Sequence, residues 1–183
     1  NVGLSLFRNF PKASLTIDQL VIVNKAPFKG DTLFYAKEIS LKMSIGEIFK
    51  DASETLDIQS ISAINSNLNI RMNQKGLGNF DIAKTTESSS LNKTETAPLS
   101  LSIQEYNIEN LQLSFIDEKS NMKMQLKELY HSGNGDFTSE ILDLNTKTKA
   151  IISVEIDGAN YLKDISISLD AVLGINLKTS TYS

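Results

Sequence analysis

The sequence predicts a mainly β protein: a curved, largely antiparallel sheet carrying one or two short helices. Three observations carry that prediction. Apolar and polar residues alternate with period two in six separate segments, the signature of strands with one apolar and one wet face. Only one short stretch has helical spacing. And the two halves of the chain contain similar strand-pair segments, which favours a unit repeated along an extending sheet.

Taken in order, residues 15–23, LTIDQLVIV, begin in alternation and then turn apolar at both parities. This predicts a strand covered on both faces near its end, or a bulge. In residues 35–45, Tyr35, Ile39, Leu41, Met43 and Ile45 share one parity, with Lys37 the exception. Ser44 and Glu47 then have the spacing of a capping box, and Ile45, Ile48 and Phe49 share a helical face. A two-turn helix ending near Asp51 is expected there, its apolar face docking over Leu20 and Ile22. Further strands follow from Leu68, Ile70 and Met72; Leu111, Leu113 and Phe115; Met122, Met124 and Leu126; Ile152, Val154 and Ile156; and Ile165, Ile167, Leu169 and Ala171.

Residues 85–97, TTESSSLNKTETA, hold almost nothing apolar to offset ordering entropy and read as a mobile loop. They divide the chain into a first β unit, residues 1–84, and a second, residues 98–183, continuing the same sheet. LDIQSISAINSNLNIRMNQKG (56–76) resembles LSIQEYNIENLQLSFIDEKS (101–120), with one residue inserted.

Bulk composition excludes several functions. The chain of 183 residues is long enough for a sizeable core, with 40% hydrophobic and 22% charged residues. A net charge of −4 and the lack of a basic cluster argue against nucleic acid as a partner. With no cysteine there is no thiol chemistry and no Cys-based metal site. The longest apolar run, Leu20 to Val23, is too short to span a bilayer. The first residue is Asn1 rather than Met, and the chain reads as a piece of a longer protein.

No segment carries recognisable catalytic chemistry. In RMNQKGLGNFDIAK (71–84), Lys75 precedes the glycines, whereas a phosphate loop needs the lysine after them. The third glycine of a dinucleotide fingerprint is replaced by Asp81. The segment therefore reads as a polar turn, followed by a strand at Phe80 to Ile82. The single His131 reads as a polar residue at a strand end, GNGD (133–136) as a glycine loop, and DEK (117–119) as a solvated hairpin turn. No metal or other cofactor is implied, and the expected class is non-enzymatic.

Several segments together resemble the AsmA family of Gram-negative envelope proteins. LFRNFPKASLTIDQLVIVNKAPFKGDTLFYAKEISLKMSIGEIFK (6–50) looks like its N-terminal region, with an N-F-P segment before a strand and a loop carrying P-F-x-G-D. GLGNFDI (76–82) is similar to the turn of the next unit, and IENLQLSFIDEKSNMKMQLKEL (108–129) with GNGDF (133–137) to the one after. The resemblance implies a periplasmic part of a protein anchored in the inner membrane by a transmembrane helix outside these residues. It implies a groove of repeating β units, involvement in outer-membrane biogenesis and in the targeting of outer-membrane proteins, and transport of phospholipid or another acyl lipid.

On that reading the apolar parity is lipid-facing: Ile17, Ile39, Leu41, Met43, Leu68, Ile70, Leu113, Phe115, Met124, Val154, Ile156, Ile167 and Leu169. The same alternation suits a packed core, and only the lack of a second layer separates the two. Two alternatives stand beside it. One is a scaffold or regulator binding outer-membrane protein assembly factors. The other is a carbohydrate-binding β-sandwich using tyrosines such as Tyr106 and Tyr130.

Overall fold

Apolar alternation along this chain is resolved by strands laid side by side in sequence order. The computed structural model describes residues 1–5, 12–51, 54–81, 101–135, 141–176 and 181–182. Among them run β1 (Val2–Ser5), β2 (Lys12–Val23), β3 (Thr32–Ser44), β4 (Leu56–Met72), β5 (Leu101–Asp117), β6 (Met122–Asn134), β7 (Ile141–Ile156), β8 (Ala159–Asn176) and β9 (Thr181–Tyr182). They form one open sheet in the order β1 to β9. Every neighbouring pair is antiparallel except β4 and β5, which are parallel. The expected mobile loop at 85–97 lies outside the described residues.

The parallel pair joins the two related segments. From Leu56 against Leu101 to Met72 against Asp117, each partner lies 45 positions further along, with no residue inserted. The expected insertion is therefore not needed. Ile58 meets Ile103, Leu68 meets Leu113 and Ile70 meets Phe115, so the similar sequences stack like on like.

Left-handed residues interrupt the strands along one row. Gln19 (φ 57°), Asn65 (φ 49°) and Asn110 (φ 54°) lie at matching positions in β2, β4 and β5. Asn tolerates this region better than most side chains. Asn110 Nδ2 also donates to Asn65 Oδ1 at 2.7 Å, tying the pair across the parallel strands. In β6 and β8 the same task falls to bulges containing Glu128 (φ 49°) and Asp164 (φ 50°). On the polar side, Lys127 Nζ reaches Asp164 Oδ1 at 3.0 Å, and Asp164 N donates to Ser153 Oγ at 2.9 Å.

At this row the apolar set changes parity. Ile108 and Leu111 are three residues apart, yet both belong to the cluster formed with Leu129, Ala150, Leu68 and Leu126. Regular alternation would put them on opposite sides. Lys37, the sequence exception, marks the same change in β3: Ile39 shares the apolar face below it, and Ala36 and Phe34 above it. Tyr35, expected with Ile39, instead pairs with Asn67 on the polar face.

Two local expectations are corrected and a third is decided between its alternatives. The helix is a 3-10 turn, Ile45–Phe49, in which Ser44 makes no side-chain cap. Glu47 instead accepts from Asp57 N at 2.8 Å and pairs with Lys50 at 2.6 Å, because the following strand start competes for its carboxylate. The turn cannot cover Leu20 or Ile22: it follows Ser44, which pairs with Lys12 at the other end of β2. None of its residues is buried, and Phe49 is 79% exposed. Third, residues 19–23 are not covered on both faces; Val21 and Val23 are exposed, and the left-handed Gln19 with a register shift at Ile22/Val23 supplies the bulge alternative.

The other end of the sheet is fastened by polar contacts. Asn79 Nδ2 donates to Asn69 O at 2.7 Å, its Oδ1 accepts from Arg71 N at 2.8 Å, and Asn24 Nδ2 donates to Asn79 O at 2.5 Å. Asn24 and Asn79 are both buried, so these partners replace the water they give up. Gly76 (φ 78°) closes the polar turn, where Asn73 Oδ1 accepts from Lys75 N and Leu77 N. Phe80 lies in a turn and Asp81 has no regular structure, so the strand expected there does not form; Ile82 is outside the described residues. The hairpin at 117–120 holds as read: Asp117 accepts from Ser120 Oγ and, secondly, from Lys119 N, and those bonds lower its carboxyl pKa.

Candidate functional site: the apolar face

Directly opposed residues of a sheet point to the same side, so the register defines the face row by row. Met43 stands between Ala13 and Ile58, and Leu41 between Leu15 and Ile61. Ile17 and Ile39 continue through Ala63, Ile108, His131 and Thr148 to Leu169. Across the parity change, Ile167 opposes Ala150 of the buried cluster. Leu68 and Leu113 lie in the next row, with Phe34, Leu126, Ile152 and Ile165. Ile70, Phe115, Met124 and Val154 form another, and Ile156 opposes Met122 in the last. All thirteen positions singled out from the sequence therefore share one face, from β2 to β8.

That face is covered unevenly. Among the described residues no second sheet and no α-helix lies over it. Met43 is buried and Leu68, Ile70, Leu113, Phe115 and Met124 are half-buried, each shielded by its row neighbours. Towards β8 the shielding fails: Ile165 is 47% exposed and Leu169 58%. Leu111, Leu126 and Ile152, read from the sequence on the apolar parity but left out of the lipid-facing set, lie on the same face, and so do Ile61 and Ile108, which sequence reasoning missed. The parity change hides the link between Ile108 and Leu111, and only the register reveals it.

The face also carries one polar cluster. Tyr106 Oη lies 2.7 Å from His131 Nε2, and His131 Nδ1 lies 2.9 Å from Thr148 Oγ1. The two rings are tilted, with centroids 5.3 Å apart. The phenol rests over Gly133, its direct partner, where a β-carbon would collide with the ring. His131 is thus not the strand-end polar residue expected; it sits within β6, bonded at both ring nitrogens. Burial lowers the His131 pKa and raises that of Tyr106, so both are neutral at pH 7.

Tyr106 and Tyr130 do not form a shared platform. Tyr130 pairs with Lys149 on the polar face, while Tyr106 lies on the apolar one. The described residues form one sheet rather than two stacked ones, so they do not build a sandwich. A crevice on the polar face, about 480 Å³, is lined by residues such as Glu105, Ser132, Asn145, Lys147 and Asp170. No group of three or more His, Asp or Glu side chains suited to a metal ion occurs among the described residues.

Comparison with family models, curated proteins and solved structures finds no match.

Proposed function

We propose that this chain is a non-enzymatic cell-envelope module of the AsmA type, offering its apolar face to the acyl chains of phospholipid in transit. The observation that carries this reading is an apolar face, seven strands wide, with no second layer over it among the described residues. An acyl chain of about 15 methylenes costs roughly 12 kcal/mol to expose to water, at about 0.8 kcal/mol for each. A track of half-buried Leu, Ile, Met and Phe removes most of that cost at every step. No helix among the described residues is long and apolar enough to cross a membrane. Attachment to the inner membrane would come from a transmembrane helix elsewhere in the parent protein, and the module would work in the periplasm in outer-membrane biogenesis.

Native mass spectrometry of protein purified from membranes tests the reading. Co-purified phospholipid is expected, and its occupancy should fall several-fold in Ile165→Glu and Leu169→Glu. Both positions are exposed, so a charge there spares the fold. Absence of lipid from the wild-type protein, or occupancy indifferent to both charges, would overturn it.

A scaffold that binds outer-membrane assembly factors is the second reading, favoured by β8. Among the described residues β8 pairs on its outer side only at Ile175 and Asn176. An exposed edge of this kind accepts a strand from a partner protein. Photocrosslinkers at Ile165 and Tyr161 that captured protein and never lipid would favour this alternative.

A further inference from the structure

Of the polar side chains on the apolar face, Tyr106, His131 and Thr148 are bonded to one another, whereas Thr146, in the row of Tyr106, donates to Ala171 O; the bonding of the first three leaves a donor over. His131 is neutral, so one ring nitrogen donates and the other accepts. If Nδ1 carries the hydrogen, it donates to Thr148 Oγ1, and Tyr106 Oη donates to Nε2; the Thr148 hydroxyl hydrogen is then unused. If Nε2 carries it, Thr148 donates to Nδ1 and the Tyr106 hydroxyl hydrogen is unused. Both bonds are short, 2.7 and 2.9 Å, and neither hydroxyl has another acceptor among the described residues. In either direction the cluster presents one free O–H.

The surroundings say what that hydrogen can take. Ile108 and Leu169 lie in the same row, and Leu41 and Ile61 lie in the row of Tyr106. The neighbouring charges, Lys147, Lys149 and Asp170, lie on the other face, since each is adjacent in sequence to an apolar-face position. A phosphate or carboxylate would meet no cation here. The fitting ligand atom is a neutral acceptor with no hydrogen of its own, attached to an apolar chain.

We propose that Tyr106, His131 and Thr148 seat the glycerol ester carbonyl of an acyl lipid lying on this face. The ester oxygen accepts the spare hydroxyl hydrogen, and the acyl chain runs on over Ile108 towards Leu113 and Phe115. The cluster thereby distinguishes the junction of chain and headgroup from the chain itself, and fixes where along the sheet a lipid pauses. Gly133 keeps the phenol ring flat against the strand and clear of the chain. This rests on the lipid-binding reading above and adds a register to it.

The test compares two lipids with the same headgroup and chain length: a short-chain diacyl phosphatidylcholine and its dialkyl ether counterpart, which has no carbonyl. Both are titrated against the protein and read by native mass spectrometry. One net hydrogen bond corresponds to a preference of about fivefold for the ester. In Tyr106→Phe/Thr148→Val the ratio should fall to about one. Equal affinity of the wild-type protein for the two lipids overturns the inference while leaving lipid binding in place, and so does a preference that survives in the double variant. If neither lipid binds the wild-type protein, the lipid-binding reading fails and this inference with it. The wild-type ratio decides the matter even if the double variant does not fold.

Discussion

Gly133 has no room for a side chain, because the Tyr106 ring occupies the place of a β-carbon. Gly133→Ala should therefore cost about 1–3 kcal/mol, the usual cost of overpacking. Gly133→Ala/Tyr106→Ala should cost clearly less than the sum of the single changes, a coupling that a double-mutant cycle in urea would measure. His131 gives a pH signature. Its folded pKa lies below the ordinary 6.5 because burial disfavours the cation. Above that value both folded and unfolded states hold it neutral. As pH falls below 6.5 the unfolded chain takes up the proton first, so stability declines towards the lowered folded value. His131→Gln should flatten that decline in thermal melts between pH 7 and 5. Ser66 makes a third case: it is 2% exposed and its hydroxyl has no partner among the described residues. Ser66→Ala should raise stability by up to about 1 kcal/mol, read from the urea midpoint. None of these three sites was legible in the sequence. The contact of glycine with tyrosine, the two bonds of the imidazole and the burial of Ser66 all join residues on different strands, and composition carries no trace of them.

At the scale of elements, strands were readable and their terminations were not. Alternation marks β3 to β8 because one face of each strand is wet. The 3-10 turn was misread because Ser44 and Glu47 have capping-box spacing, while the tertiary partner Asp57 takes the carboxylate instead. Phe80 and Asp81 were misread as strand for a similar reason. Asn79 bonds to Asn24, Asn69 and Arg71, and thereby holds the segment as a docked turn. Asn79→Ala should lower stability by about 1–3 kcal/mol, because Asn24 Oδ1, Asn69 O and Arg71 N lose its side chain as a partner, with a shifted urea midpoint and an unchanged slope. The left-handed row makes a different demand. Asn65→Val should cost about 1–2 kcal/mol through backbone strain, and Asn65→Gly much less, by the same measurement.

The whole molecule is one sheet whose halves meet through parallel β4 and β5. The similarity of 56–76 to 101–120 pointed to a repeated unit, but not to the repeats lying beside each other in register. That follows from the like-on-like stacking of Ile58 on Ile103 and Ile70 on Phe115, which identical spacing permits. The apolar face was legible as a list of positions. Whether a layer covered it was not, since alternation is the same for a covered and an uncovered sheet. The polar interruption at Tyr106, His131 and Thr148 was hidden because its members are 25 and 17 residues apart.

In the strands that it crosses, the row of left-handed residues divides the mutational map into two phases, whereas β7 carries no such residue and keeps one phase. In β5 the inward positions next to the row are even-numbered at Tyr106 and Ile108 and odd-numbered from Leu111, so a saturation scan from Tyr106 to Phe115 should show the tolerant positions swapping from odd to even across Asn110. Length changes obey the same boundary. A single-residue deletion between Asn110 and the hairpin at 117–120 inverts only the part of the strand beyond it, leaving Tyr106 and Ile108 in phase. The row is a seam: errors of spacing introduced on one side need not propagate to the other.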